Sequence, residues 1–184
     1  ESGEQMTTEE LMAFVVLLYI AGHETTVNLI GNGTLALLKN PEQLAFVHNN
    51  GLTQSHIDEL LRFDGPVQHT VRVPLVPVHY MVDNEQITVQ PGTMVLTSLG
   101  AANHDPSMFA DPHTLRLDRD NSHRHMAFAS GIHYCLGSAL AKLETEVAVG
   151  SLFTRFKNIT IEGEPTWRDR ITIRGVNQLK LTFS

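Results

Sequence analysis

A single cysteine, Cys135, lies in the string Phe128-Ala129-Ser130-Gly131-Ile132-His133-Tyr134-Cys135-Leu136-Gly137. One cysteine excludes an internal disulfide and a zinc site built from cysteines. Three roles remain: a buried inert thiol, a reactive nucleophile, or a thiolate bound to a metal. The neighbours favour the third. Gly131 and Gly137 let the backbone approach something flat and bulky. Leu136 to Glu144 opens a run of good helix formers. A cysteine entering a helix meets unpaired N–H groups and the positive dipole end, which favour a thiolate. Cys–His nucleophilic catalysis is the weaker rival, because no papain-like or caspase-like context surrounds Cys135.

A second constellation is Ala21-Gly22-His23-Glu24-Thr25-Thr26, set inside an apolar helical run. Leu17, Ala21 and Thr25 are four apart and share one face. A glycine, an acid and an alcohol in mid-helix are poor for packing, and the plain reading is a tolerated polar notch. A threonine bonding back to the carbonyl of Ala21 would bend the helix and open a groove. Glu24 and Thr25 would then be proton carriers beside a small ligand. Glu59 and Arg62 form an i,i+3 pair, alone no more than a surface ion pair. Arg72 is a charge within an apolar run, and its plain reading is an exposed strand arginine.

Taken together these strings resemble the cytochrome P-450 family, the haem-thiolate monooxygenases. Phe128, Gly131, His133, Cys135 and Gly137 match its Phe-x-x-Gly-x-His-x-Cys-x-Gly ligand loop, with Ala129 where glycine is usual. Residues 21–26 match its Ala-Gly-x-Asp/Glu-Thr-Thr motif, and Glu59 and Arg62 its Glu-x-x-Arg pair. The resemblance implies haem b with Cys135 as axial iron ligand. It implies Thr25 and Glu24 in oxygen activation and proton relay, and Arg72 and His133 bonding the propionates. Glu59, Arg62 and Arg119 would form a structural network. Phe128, Gly131, Gly137 and Ala21 would also bind the haem, and Leu17, Ile20, Gln68, Thr70, Val71, Thr172 and Ile173 would line the pocket of a small hydrophobic substrate. The reaction implied is insertion of one oxygen atom into a C–H bond or a double bond, with electrons from a ferredoxin or flavin reductase docking on the cysteine side. The style of the motifs is that of soluble bacterial enzymes of natural-product biosynthesis. A haem-binding or scaffold module without turnover is the alternative; the intact Glu24-Thr25 pair argues against it.

The elements that must position these residues follow from the same sequence. Thr7-Thr8-Glu9-Glu10 is a capping box. No proline follows until Pro41, which predicts a helix of about 33 residues, roughly 50 Å long. Its apolar start predicts burial on all sides. Shorter helices are expected over Glu42–Asn49 and from Ser55, irregular strands over Val67–Val82, and a long helix over Leu136–Phe156. Asp83-Asn84 turning into Gln86–Val89, and Pro91-Gly92 turning into Thr93–Thr97, predict a hairpin. Final strands are expected over Asn158–Ile161, Ile171–Arg174 and Leu179–Phe183. The fold class is mainly α with small β-sheets, the C-terminal half of the cytochrome P-450 fold.

A chain of 184 residues, 42% hydrophobic and 18% charged, fits one globular domain. A net charge of −7 makes nucleic acid an unsuitable partner. The apolar run Leu11–Gly22 is short for a bilayer span, so a cytoplasmic protein without a membrane partner is expected. The resemblance begins at the long helix, so residues 1–184 are expected to be the haem-binding part of a longer enzyme. The N-terminal half would be missing, or supplied by another chain.

Overall fold

The computed structural model describes residues 5–184. Helix α1 spans Thr8–Lys39. It starts where the capping box places it: Glu10 N donates to Thr7 Oγ1 at 3.2 Å, and Thr7 N to Glu10 Oε2 at 2.8 Å. It stops before Pro41, which opens α2 (Pro41–Asn50). Gly51, at φ +76°, lets the chain leave α2 and turn into α3 (Gln54–Asp64).

α1 has two different halves. From Asn28 to Leu37 it is core, with Leu29 and Leu37 packed on Ile57, Leu60 and Leu61 of α3 and on Val149 and Phe153. Each such buried side chain contributes about 1.5–3 kcal/mol. From Leu11 to Ile20 the apolar side chains are exposed, Leu17 by 60% and Tyr19 by 71%. Burial on all sides is therefore corrected: it holds only for the second half. The run Leu11–Gly22 is also not the whole span, because α1 continues for 32 residues and is long and apolar enough to cross a bilayer. Against such a span, buried Asn32 of the second half bonds the carbonyls of Asp64 and Arg174.

Among the described residues, four two-stranded antiparallel sheets accompany this helical core. β1 (His69–Arg72) pairs with β4 (Val95–Ser98), His69 opposite Ser98. β2 (Val78–Val82) and β3 (Glu85–Val89) form a hairpin closed by Asp83 and Asn84, both left-handed at φ 48° and 66°. The Pro91-Gly92 turn does not fold β4 onto β3. Gly92 N is held by Pro74 O at 3.0 Å, which sends β4 back to β1. α4 (Leu99–Asn103) follows at once.

α5 runs over Ser138–Arg155, two residues later than expected because Gly137 caps it. β5 (Ile159–Ile161) pairs with β8 (Leu181–Phe183), and β6 (Thr166–Trp167) with β7 (Val176–Gln178). The expected strand over Ile171–Arg174 is not regular. That segment makes bonds from Arg174 N to Pro66 O at 2.7 Å and from Gln68 N to Thr172 O at 2.9 Å. Pro66 has no N–H to return, so the ladder stops at a single bridge, Val67 with Ile173.

Candidate functional site

The cysteine loop leaves the core at Phe128 and returns at α5. Cys135 N donates to Phe128 O at 3.0 Å, which closes the loop on itself. Inside it, Gly131 stands at φ +67° and Ala129 at φ +57°. The second is a left-handed alanine, a conformation that costs a non-glycine residue about 1–2 kcal/mol. A Cβ built on Gly131 or Gly137 would meet nothing within 4 Å, so both face open space.

Cys135 faces α1 across two adjoining spaces. The smaller, about 250 Å³, is lined by Ala21, Thr25, Thr70, Phe128, His133 and Cys135 among others. The larger groove, about 900 Å³, shares Ala21, Thr25 and Cys135 and adds Gly22, Leu140 and Val147. Thr25 Oγ1 donates to Ala21 O at 2.6 Å, the back-bond that pulls its hydroxyl onto the helix wall. A soft sulfur donor, apolar walls and one alcohol opposite suit a metal carried in a flat apolar macrocycle. The residues fit haem.

Other expected site residues are placed elsewhere. Glu24 turns away from Cys135 into a side groove with Ile20 and Arg168. Its Oε1 accepts from Arg168 Nη1 at 2.9 Å and Arg170 Nη1 at 2.7 Å. Leu17 lines a separate groove with Met6, Ala13 and Phe14. Arg72 is exposed at the end of β1, its Nη1 donating to Val71 O at 2.9 Å, and Val71 is exposed too. Gln68 bonds Gly65 O through Nε2 at 2.7 Å and packs on Gly100. Thr172 and Ile173 support Gln68 and Val67 through the backbone.

The residues behind the site are fully bonded. Glu59, 0% exposed, takes Arg62 Nε at 2.7 Å and Nη2 at 2.9 Å, and Arg119 Nε at 3.1–3.2 Å. Arg62 Nη1 reaches the carbonyls of Asn103 and Pro112, and Arg119 Nη1 that of Ala110. With donors and acceptors matched, the charges can be buried.

Sequence reasoning missed two further clusters. Asp58 binds His125 Nε2 at 3.2 Å and Lys142 Nζ at 2.8–2.9 Å, and His125 packs on Phe128. Burial opposes ionisation of Asp58, yet these two bonds outweigh it and hold its carboxyl below the usual range. Asp64 accepts from Arg174 Nε at 2.6 Å, while Arg174 lies 3.7 Å above the Trp167 ring. There burial dominates and pushes the Asp64 carboxyl up. The signal for both was faint: an acid before Glu59, and Arg174 within an apolar hairpin.

The comparisons with known proteins agree with this geometry. The cytochrome P450 family model matches residues 1–180. Cytochrome P450 107B1 of Saccharopolyspora erythraea is 41% identical over 184 residues, covering 97% of this chain and 44% of the relative. Cytochrome P450 monooxygenase PikC of Streptomyces venezuelae is 40% identical, covering 100% of this chain and 44% of the relative. Among solved structures, P450BioI in complex with an acyl carrier protein ligated to hexadec-9Z-enoic acid superposes with a TM-score of 0.92 at 38% identity. It covers 99% of this chain and 47% of that one. The chain thus spans less than half the length of the curated relatives it matches.

Proposed function

The chain belongs to the cytochrome P450 family and carries the C-terminal half of its fold; from that premise we propose that it is the haem-thiolate part of a monooxygenase. Such an enzyme places one oxygen atom from O2 into a C–H bond or double bond of a small hydrophobic substrate. The observation that carries the reading is that Cys135 and Thr25 line the same cavity from opposite walls.

Haem b, when bound, supplies the electron-accepting and oxygen-activating chemistry. The chain's own residues do the rest. Cys135 would hold the iron with an anionic sulfur. Gly131 and Gly137 keep the space in front of it free of side chains. His133, which lines the cavity, and Arg72, exposed at the end of β1, would hold the propionates. Thr25 keeps a hydroxyl on the cavity wall facing Cys135, and Glu24, held in the side groove by Arg168 and Arg170, is the acid that would supply protons from that side. Thr70, which lines the cavity with Cys135, bounds the substrate space, while Gln68, Thr172 and Ile173 brace the segment around it through the bonds to Gly65 O and Thr172 O. Electrons come from a ferredoxin or flavin reductase in the cytoplasm.

The exposed apolar face of α1 is covered by further polypeptide, which also roofs the substrate. The relatives, more than twice as long, support that reading. The test of catalysis is product formation with a ferredoxin and its reductase, scored against the same enzyme with Thr25→Ala. A protein that binds haem but never consumes reductant would favour the scaffold role instead.

A further inference from the structure

Glu24 takes its polar contacts on one oxygen. Arg168 Nη1 and Arg170 Nη1 both donate to Oε1, at 2.9 and 2.7 Å, while Oε2 takes part in none of the hydrogen bonds among the described residues. Both arginines come from the segment between β6 and β7. Arg168 is the more sheltered, at 29% side-chain exposure against 56%, so its bond is less screened by solvent.

Arg168 also buries a polar atom, its Nε, that has no partner among the described residues. Two more such atoms, Asn28 Nδ2 and Asn32 Oδ1, lie one helical turn apart on α1, on residues 2% and 1% exposed. The three residues that carry them all touch the Arg174-Gly175 segment. Asn32 Nδ2 donates to Arg174 O at 3.2 Å, Arg168 N donates to Gly175 O at 3.0 Å, and a Cβ on Gly175 would overlap the Asn28 amide. Such atoms are rarely left bare, because each forfeits its hydration. Two donors and one acceptor on residues gathered at one segment are the complement of a water molecule.

We propose that Arg168 and Arg170 are positioning residues that aim Glu24, and that a buried water held by Asn28, Asn32 and Arg168 fixes the guanidinium that does the aiming. The inference rests on Glu24 as the proton carrier. An arginine keeps its own protons at any working pH and cannot relay them. It anchors Oε1 by charge and leaves Oε2 as the oxygen that exchanges a proton. Asn28, otherwise an odd polar residue in a core helix, then has a purpose, and Asn32 uses the oxygen left over from its bonds to Asp64 O and Arg174 O.

Two measurements on the haem-loaded enzyme decide the matter. A crystal structure with ordered waters resolved is expected to hold one within hydrogen-bond distance of Asn28 Nδ2, Asn32 Oδ1 and Arg168 Nε; a dry site overturns the water. Arg168→Gln is expected to lower product formed per reductant by about tenfold, with Arg168→Lys falling less. The substrate Kd, read from the haem spin-state titration, should stay within about twofold. Full coupling in Arg168→Gln, alongside lost coupling in Glu24→Gln, overturns the positioning role and leaves Glu24 as carrier. A silent Glu24→Gln overturns the reading beneath it.

Discussion

The hydroxyl of Thr25 is held 2.6 Å from the Ala21 carbonyl, in the wall that faces Cys135. Removing it relieves a back-bond that helices tolerate rather than need, so the fold should survive. Thr25→Ala is therefore expected to consume reductant and release peroxide, with product per reductant down about tenfold or more. Unchanged coupling would reduce the threonine to a structural notch. Ala129 offers a stability test in the opposite direction. Its φ of +57° is strained for alanine, so Ala129→Gly should gain about 1 kcal/mol in the thermal unfolding of the holo-protein. Cys135, Thr25 and Arg62 were legible because each lies in a short string with its spacing intact. Arg168 and Arg170 were not. Their partner Glu24 is 144 and 146 residues away, and no local pattern records a contact at that distance.

At the scale of elements, α3 joins the two charge networks. Asp58 and Glu59 are neighbours in sequence, yet Asp58 turns to His125 and Lys142 behind the cysteine loop while Glu59 turns to Arg62 and Arg119. Arg62→Ala leaves the buried Glu59 carboxylate with Arg119 as its one remaining cation, empties the space of the guanidinium, and should cost about 3–5 kcal/mol in denaturant unfolding. Asp58 has a depressed carboxyl in the folded state. Its stabilising contribution is therefore complete above the ordinary carboxylate range and lost as pH falls through the depressed value. Acid unfolding of Asp58→Asn should accordingly be shallower than that of the parent below the ordinary carboxylate range; an identical acid limb would show that the bonds carry no net stability. The long helices and the Asp83-Asn84 turn were readable from caps and left-handed residues. The pairing of β4 with β1, and the broken ladder at Ile171–Arg174, were not. They depend on Pro74 and Pro66, whose partners the sequence does not mark.

For the whole molecule, the uneven burial of α1 matters most. Leu11, Met12, Phe14, Val15 and Leu18 all stand exposed along its first half. A contiguous apolar strip of that kind is where soluble proteins bind something. The 184-residue chain expressed alone is expected to self-associate and to bind hydrophobic dyes; a monodisperse monomer that takes up haem stoichiometrically and turns over would contradict the need for a cover. The capping box foretold this helix correctly, yet hydrophobicity alone misjudged its burial, because an apolar face does not say which chain covers it. Everything converges on one sulfur atom. The carbon monoxide difference spectrum of the reduced, haem-loaded enzyme tests it most directly. The red-shifted Soret band of a thiolate ligand is expected in the parent and lost in Cys135→Ser; the same band persisting in that variant would overturn Cys135 as the ligand.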